Sequence, residues 1–242
     1  MAGKGSSGIR GHPVVSREQW LSARTVFLAK EKEFTRLRDE LNRQRRELPW
    51  VKVEKKYAFD GPGGKETLAD LFASRSQLVV YHFMFSPDWD EGCKHCSFWA
   101  DHYDAPAVHL RRRDVSFVAI SRAPLVKIEA FKKRMGWRFR WLSSFDSDFN
   151  FDFLASFTPE ALEGGTTFYN YSKASPGMAD REGISVFYKD DGGAVFHTYS
   201  CYARGIEMVN ATYHFLDLVP KGRDEDPADP QAWVRYHDRY ED

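Results

Sequence analysis

Between residues 16 and 48 one apolar residue recurs at every seventh position: Trp20, Phe27, Phe34, Leu41 and Leu48, with Ala23 and Leu37 beside them. That spacing predicts one long helix with a single apolar stripe. Ser16 followed by Gln19 predicts its N-cap as a capping box, and Pro49 ends it. The rest of the helix carries nine bases against six acids, so it reads as solvated rather than as a nucleic-acid surface. The stripe fits two destinations, the chain's own domain or the same helix of a second copy, which would make a homodimer.

After Pro49 the periods shorten. Residues 51–59 alternate as a strand, and Gly61-Pro62-Gly63-Gly64 is a turn. Residues 77–83 form a continuous apolar run, as in a strand buried on both faces. A helix is predicted over 96–113 with a kink at Pro106, then a strand at 115–120. A helix follows between Pro124 and Gly136, and a third strand at 137–142. Strands alternating with helices predict an α/β layer around a parallel pair. Residues 143–183 have no sustained period and read as an insertion packed by its aromatics. Two strand-like runs around Asp190-Asp191-Gly192-Gly193 predict a hairpin, and Ile206, Val209, Tyr213 and Leu216 a last helix. The tail from Pro220, with seven acids and four bases, reads as a surface coil.

Composition narrows the function classes. In 242 residues, 42% hydrophobic and 15% aromatic content can build a substantial core. Lys and Arg total 35 and so do Asp and Glu, so no net pull toward nucleic acid is expected. No apolar run suits a membrane span, and the first eight residues lack the apolar core of a secretory signal. The expectation is a cytoplasmic protein bound to neither nucleic acid nor membrane. Three cysteines are too few for a disulfide scaffold in a reducing compartment, so they are buried, reactive or metal-bound.

The chemistry-bearing motif is Gly92-Cys93-Lys94-His95-Cys96, between a buried strand and a helix. Open α/β sheets place ligand sites at the carboxyl ends of their strands. A Cys-x-x-Cys there is a thioredoxin-like redox signal. Backbone N–H groups at a helix start favour thiolate, and Lys94 and His95 can add positive charge. Cys93 is therefore the expected nucleophile and Cys96 the resolving thiol. Trp89 shapes the approach to Cys93, and Arg122, at the end of the next strand, is a candidate to face it. Cys201 reads as a small buried residue. One competing reading places copper or zinc on the two thiolates with His197 or His95 as a third ligand, and another is an interaction module that has kept the fold and lost turnover. No phosphate-binding glycine loop or nucleophile elbow is present. The redox reading calls for no cofactor, only a protein or small-molecule thiol or disulfide as partner.

Val14-Val15-Ser16-Arg17-Glu18-Gln19-Trp20, Tyr81-His82-Phe83-Met84-Phe85, Cys96-Ser97-Phe98-Trp99-Ala100-Asp101 and His197-Thr198-Tyr199-Ser200 together resemble a bacterial thioredoxin-like family. It is catalogued as domain of unknown function 899. The resemblance continues through Phe131-Lys132-Lys133-Arg134-Met135-Gly136-Trp137, Ser147-Asp148-Phe149-Asn150 and Gly222-Arg223-Asp224-Glu225. It implies a fold similar to thioredoxin and peroxiredoxin, a central mixed sheet flanked by helices, and no settled substrate. Two departures matter. Gly183-Ile184 stands where thioredoxins carry a cis-proline, the nearest proline being Pro176, which counts against general protein-disulfide exchange. Pro87 lies six residues before Cys93, and Asp90 or Glu91 replaces the peroxiredoxin hydroxyl, which counts against that peroxidase mechanism. The expected organisation is a leader at 1–15, a helical arm at 16–48, a thioredoxin-like domain at 49–219 and an acidic tail at 220–242.

Overall fold

A computed structural model describes residues 12–175 and 177–241, so most of the leader and Pro176 lie outside the described residues. The chain divides into two compact units between Leu48 and Pro49. The first is the helix α1, Arg17–Arg46, capped by Ser16 and Gln19 in the reciprocal box that the sequence predicts. None of its residues is buried, and Trp20, Phe27, Phe34 and Leu41 each keep more than half of their surface exposed. Among the described residues no helix is long and apolar enough to cross a membrane.

The second unit is built on an eight-stranded sheet. Its strands are β1 (Val51–Lys52), β2 (Ala58–Gly61), β3 (Gly64–Thr67), β4 (Gln77–His82), β5 (Val115–Ser121) and β6 (Arg140–Ser143). A small hairpin, β7 (Thr167–Tyr169) with β8 (Ser172–Ala174), stands apart, and β9 (Gly183–Lys189) and β10 (Val195–Tyr202) return to the sheet. The order is β1-β10-β9-β4-β5-β6-β2-β3. Strands β4, β5 and β6 run parallel, β9 is antiparallel to β4, and β10 is antiparallel to β9. The helices are α2 (Lys94–Ala100), α3 (Asp104–Leu110), α4 (Leu125–Arg134), α5 (Phe149–Asp152), α6 (Pro159–Glu163) and α7 (Ala211–Leu216). A strand-helix-strand crossover followed by an antiparallel hairpin beside the first strand is the thioredoxin-like topology.

The period of two along β4 and β5 splits the core. Leu78, Val80, Val118 and Ile120 enter one apolar cluster with Phe72, Phe149 and Phe187. Tyr81 and Ala119 point to the other face, into a cluster with Cys96, Trp99, Phe131 and Trp141. The central strands are buried on both sides, which is why residues 77–83 carry no polar alternation.

Four sequence expectations shift. Residues 51–59 are not one strand: β1 pairs with β10 and β2 with β3 and β6, at opposite ends of the sheet. The polar run between them, where Lys55 binds Asp148 and Asp152, carries the chain across. The helix expected over 96–113 breaks at residues 101–103, ahead of Pro106. Pro106 lies in the first turn of α3, where a missing N–H costs nothing. The last helix breaks at Asn210, whose side chain accepts the Tyr213 N–H and caps α7. The tail is more than a surface coil: Val234 is fully buried, and Trp233 and Tyr236 pack on the main core.

A dithiol cleft at the carboxyl end of β4

Beyond β4 the chain stays inside through Phe83, Met84 and Phe85 and returns to Met84, whose carbonyl accepts the Cys93 N–H at 3.0 Å. Gly92 is wedged between aromatic rings. A Cβ there would lie 2.7 Å from Phe83 and 2.9 Å from Phe131. Only glycine lets the chain pass so close, and that passage delivers Cys93 to the start of α2.

Cys93 is the N-cap residue of α2 and is half-buried, whereas Cys96, one turn on, is buried. The Cys93 sulfur accepts the Cys96 backbone N–H at 3.5 Å. The Cys96 sulfur accepts the Met84 N–H at 3.5 Å, and its carbonyl accepts the Tyr81 hydroxyl at 3.2 Å. Hydrogen bonding from the Cys96 thiol, then from His95 and the Cys96 backbone, holds Cys93 well below the usual thiol range, against burial, which pushes it up. Burial, then the neighbouring Cys93, pushes Cys96 well above that range. One sulfur is thereby primed as thiolate and the other kept as thiol, the division of labour expected of an attacking and a resolving cysteine.

The two cysteines open onto a cleft of about 550 Å³. Trp89, Lys94 and His95 line it. Arg122 does not. Its guanidinium binds buried Asp180 at 2.7 Å and reaches Ser86, so it ties the insertion to the strand end instead of facing the sulfurs. His197 is likewise elsewhere: it borders a different cavity, with Tyr57 and Phe153, and bonds Ser200 at 2.7 Å. Cys93, Cys96 and His197 are therefore not brought together. Among the described residues no three His, Cys, Asp or Glu side chains converge to hold a metal ion. Cys201 is buried in the main core, as expected.

Several cleft residues escape sequence reasoning. Glu182, Arg181 and Met178 come from the end of the insertion, and Gln231 and Tyr236 from the C-terminal segment. Burial raises the Glu182 carboxyl, and the nearby Cys93 raises it further. A signal for Glu182 existed. It immediately precedes Gly183, at the strand start that faces the dithiol in thioredoxin-like folds. Gly183 pairs with His82 at the end of β4, and a Cβ on it would meet the Tyr202 ring at 2.5 Å.

Comparison with solved structures finds distant likenesses. Peroxiredoxin Q of Xanthomonas campestris shares 15% identity at TM-score 0.44, with 65% of this chain and 90% of that chain covered. Peroxidoxin BcpB of Mycobacterium tuberculosis shares 16% at TM-score 0.41, covering 68% and 95%. A thiol:disulfide interchange protein DsbE of Chlorobium tepidum shares 12% at TM-score 0.39, covering 69% and 94%. Likenesses this remote carry no argument about activity. No curated protein matches the chain. A family model does match, over residues 9–240, and the chain belongs to that family, the bacterial proteins of unknown function called DUF899.

Proposed function

We propose that the protein is a thiol–disulfide oxidoreductase with Cys93 as nucleophile and Cys96 as resolving thiol. The observation that carries this reading is Cys93, a half-buried residue at a helix start whose sulfur lines the cleft and is held toward thiolate, with the Cys96 thiol one turn away. The Cys93 thiolate attacks one sulfur of a disulfide R–S–S–R′, forming Cys93–S–S–R and releasing R′S⁻, which takes a proton from water. Cys96 then loses its proton and attacks the Cys93 sulfur, releasing RS⁻ and closing the Cys93–Cys96 disulfide. The substrate gains two electrons and the dithiol loses two. Cellular thiols, two per turnover, restore the dithiol by the reverse exchange.

Glu182 is the residue we assign to the second step. A carboxyl group whose pKa is raised by burial is a better proton acceptor near neutral pH than an ordinary one. Its charge and that of Cys96 disfavour each other, and moving the thiol proton onto the carboxylate forms the Cys96 thiolate without placing both charges side by side. Trapping tests the whole scheme. With Cys96→Ser, a disulfide substrate should remain attached at Cys93 and be visible by mass spectrometry; with Cys93→Ser, no adduct should form at Cys96.

A second copy is the partner we assign to α1, because a strict seven-residue apolar repeat suits a helix packing against another helix. Sedimentation of the full chain tests it: Phe27→Glu should convert dimer to monomer, and a wild-type monomer would refute it.

A further inference from the structure

Cys93 opens onto a cleft whose lining comes from two distant parts of the chain: Met178 and Glu182 of the insertion, and Gln231 and Tyr236 of the C-terminal segment. The C-terminal segment is fastened at both ends of α2. Before the helix, the Tyr236 hydroxyl donates to the Gly92 carbonyl at 2.6 Å. There Glu91 accepts from Arg134 at 2.6 Å and from Arg239 at 2.5 Å, and Arg134 also binds Asp238 at 2.8 Å. After the helix, His237 meets Asp101 at 2.6 Å. The same segment buries Val234 completely and packs Trp233 edge-on against Phe98 of α2 at 5.3 Å.

The insertion's side of the cleft is held from within. Ser156 and Asp180 form an antiparallel bridge. Around it the Phe157 N–H donates to the Ala179 carbonyl, and the Arg181 N–H to the Ala155 carbonyl, each at 2.9 Å. Asp180 is buried, accepts the Ser156 hydroxyl at 2.6 Å and binds Arg122 at 2.7 Å. Capture of a protein substrate by strand addition needs a row of free main-chain N–H and C=O groups. At residues 179 and 181 such groups are already bonded to the chain itself. The space left at the dithiol is about 550 Å³, within the roughly 300–1,000 Å³ of small-molecule sites.

From these two anchored segments we infer that the substrate is a low-molecular-weight disulfide, and that the C-terminal segment is the element that keeps protein disulfides from Cys93. This inference rests on the thiol–disulfide reading above. One substrate disulfide takes two electrons and two protons from Cys93 and Cys96 and leaves as two thiols, while the Cys93–Cys96 bond forms. A small disulfide enters end-on with the segment in place. A disulfide embedded in a folded chain reaches Cys93 only after the segment lifts, at the cost of the contacts that fasten it.

The test uses the reduced full-length protein with bis(2-hydroxyethyl) disulfide as the small oxidant and insulin as the protein oxidant. Closure of the Cys93–Cys96 disulfide is followed by mass spectrometry. Dithiothreitol, an unhindered dithiol, is run with the same two oxidants to cancel their intrinsic reactivities. The ratio of small-disulfide to insulin rate should be at least about tenfold larger for the protein than for dithiothreitol, the factor that about 1.4 kcal/mol of lifting cost supplies. The triple variant His237→Ala, Asp238→Asn, Arg239→Ala removes fastenings and leaves every cleft residue in place. Its insulin rate should rise about tenfold, with the small-disulfide rate unchanged. Equal ratios for protein and dithiothreitol overturn the inference without any variant. A folded variant whose insulin rate does not rise also overturns it, and either result leaves the redox reading standing. Failure of both oxidants to close the dithiol overturns both.

Discussion

The Tyr236 hydroxyl donates to the Gly92 carbonyl at 2.6 Å, joining the C-terminal segment to the residue just before Cys93, the proposed nucleophile. Sequence separation between them is 144 residues. The contact fixes one wall of the dithiol cleft and holds the backbone entering α2. Tyr236→Phe keeps the ring, which packs against Phe131 at 5.6 Å, and removes only the donor. The expected cost is about 1 kcal/mol of stability, the ordinary net value of one hydrogen bond. Cys93 should also react faster with a bulky maleimide. Denaturant midpoints and labelling rates check the two effects, and an unchanged labelling rate would deny Tyr236 its role as a wall.

Glu182→Gln preserves shape and removes the proton acceptor assigned to the second exchange step. The mixed disulfide at Cys93 should then persist about ten times longer at neutral pH, the lower end of a typical general-base contribution. Quenched-flow mass spectrometry reads that lifetime. A lifetime matching the wild type would remove Glu182 from the mechanism.

Gly92→Ala places a methyl group against two aromatic rings at 2.7 and 2.9 Å. Both rings belong to the main core and cannot swing away freely. The expected loss is about 1–3 kcal/mol by overpacking. Because strain there displaces Cys93, reactivity toward iodoacetamide should change along with stability. A variant equal to wild type in both would show that the rings yield.

A buried chain of polar groups sets an acid limit. His82 bonds Ser185 at 2.8 Å, Ser185 bonds Ser200 at 2.8 Å, and Ser200 bonds His197 at 2.7 Å. Burial, with His197 adding to it, lowers His82 to about 3. The unfolded chain protonates this imidazole at about 6.5, whereas the folded chain resists until about 3. Unfolded molecules therefore bind the extra proton throughout that interval. Stability is intact above pH ~6.5 and falls as pH drops toward ~3, by up to about 1.4 kcal/mol per pH unit from this group. Urea titrations at several pH values measure the slope, which His82→Gln should flatten. The same slope in the variant would assign the acid sensitivity to other groups.

Much of this architecture is local in origin and so legible before any coordinates. The seven-residue repeat and Ser16-Gln19 box mark α1, and the unbroken apolar run at 77–83 marks a strand covered on both faces. The Cys-x-x-Cys motif announces the dithiol because strand, motif and helix are contiguous. What stays hidden depends on distant partners. Residues 51–59 alternate like one strand, yet Lys55 in the middle finds the carboxylates of Asp148 and Asp152, and the chain changes edges there. Where α2 ends, the Asp101 carboxylate accepts from Trp137 and His237, distant partners that no local pattern names. Arg122 sits at the correct strand end but is captured by Asp180, a partner in the insertion. Glu182 and Tyr236 reach the cleft only through the closure of the insertion and the C-terminal segment, and no short-range pattern records that closure.

On the redox reading proposed above, Cys93 carries a thiolate at neutral pH while Cys96 does not. Alkylation of the reduced protein by iodoacetamide from pH 4 to pH 10, read site by site by mass spectrometry, tests it without any knowledge of the substrate. Cys93 should stay fast through neutral pH and slow only in acid, well below the free-thiol value of about 8.5, with Cys96 slow throughout. A Cys93 profile that rises only near that free-thiol value, or equal labelling of the two cysteines, would contradict it.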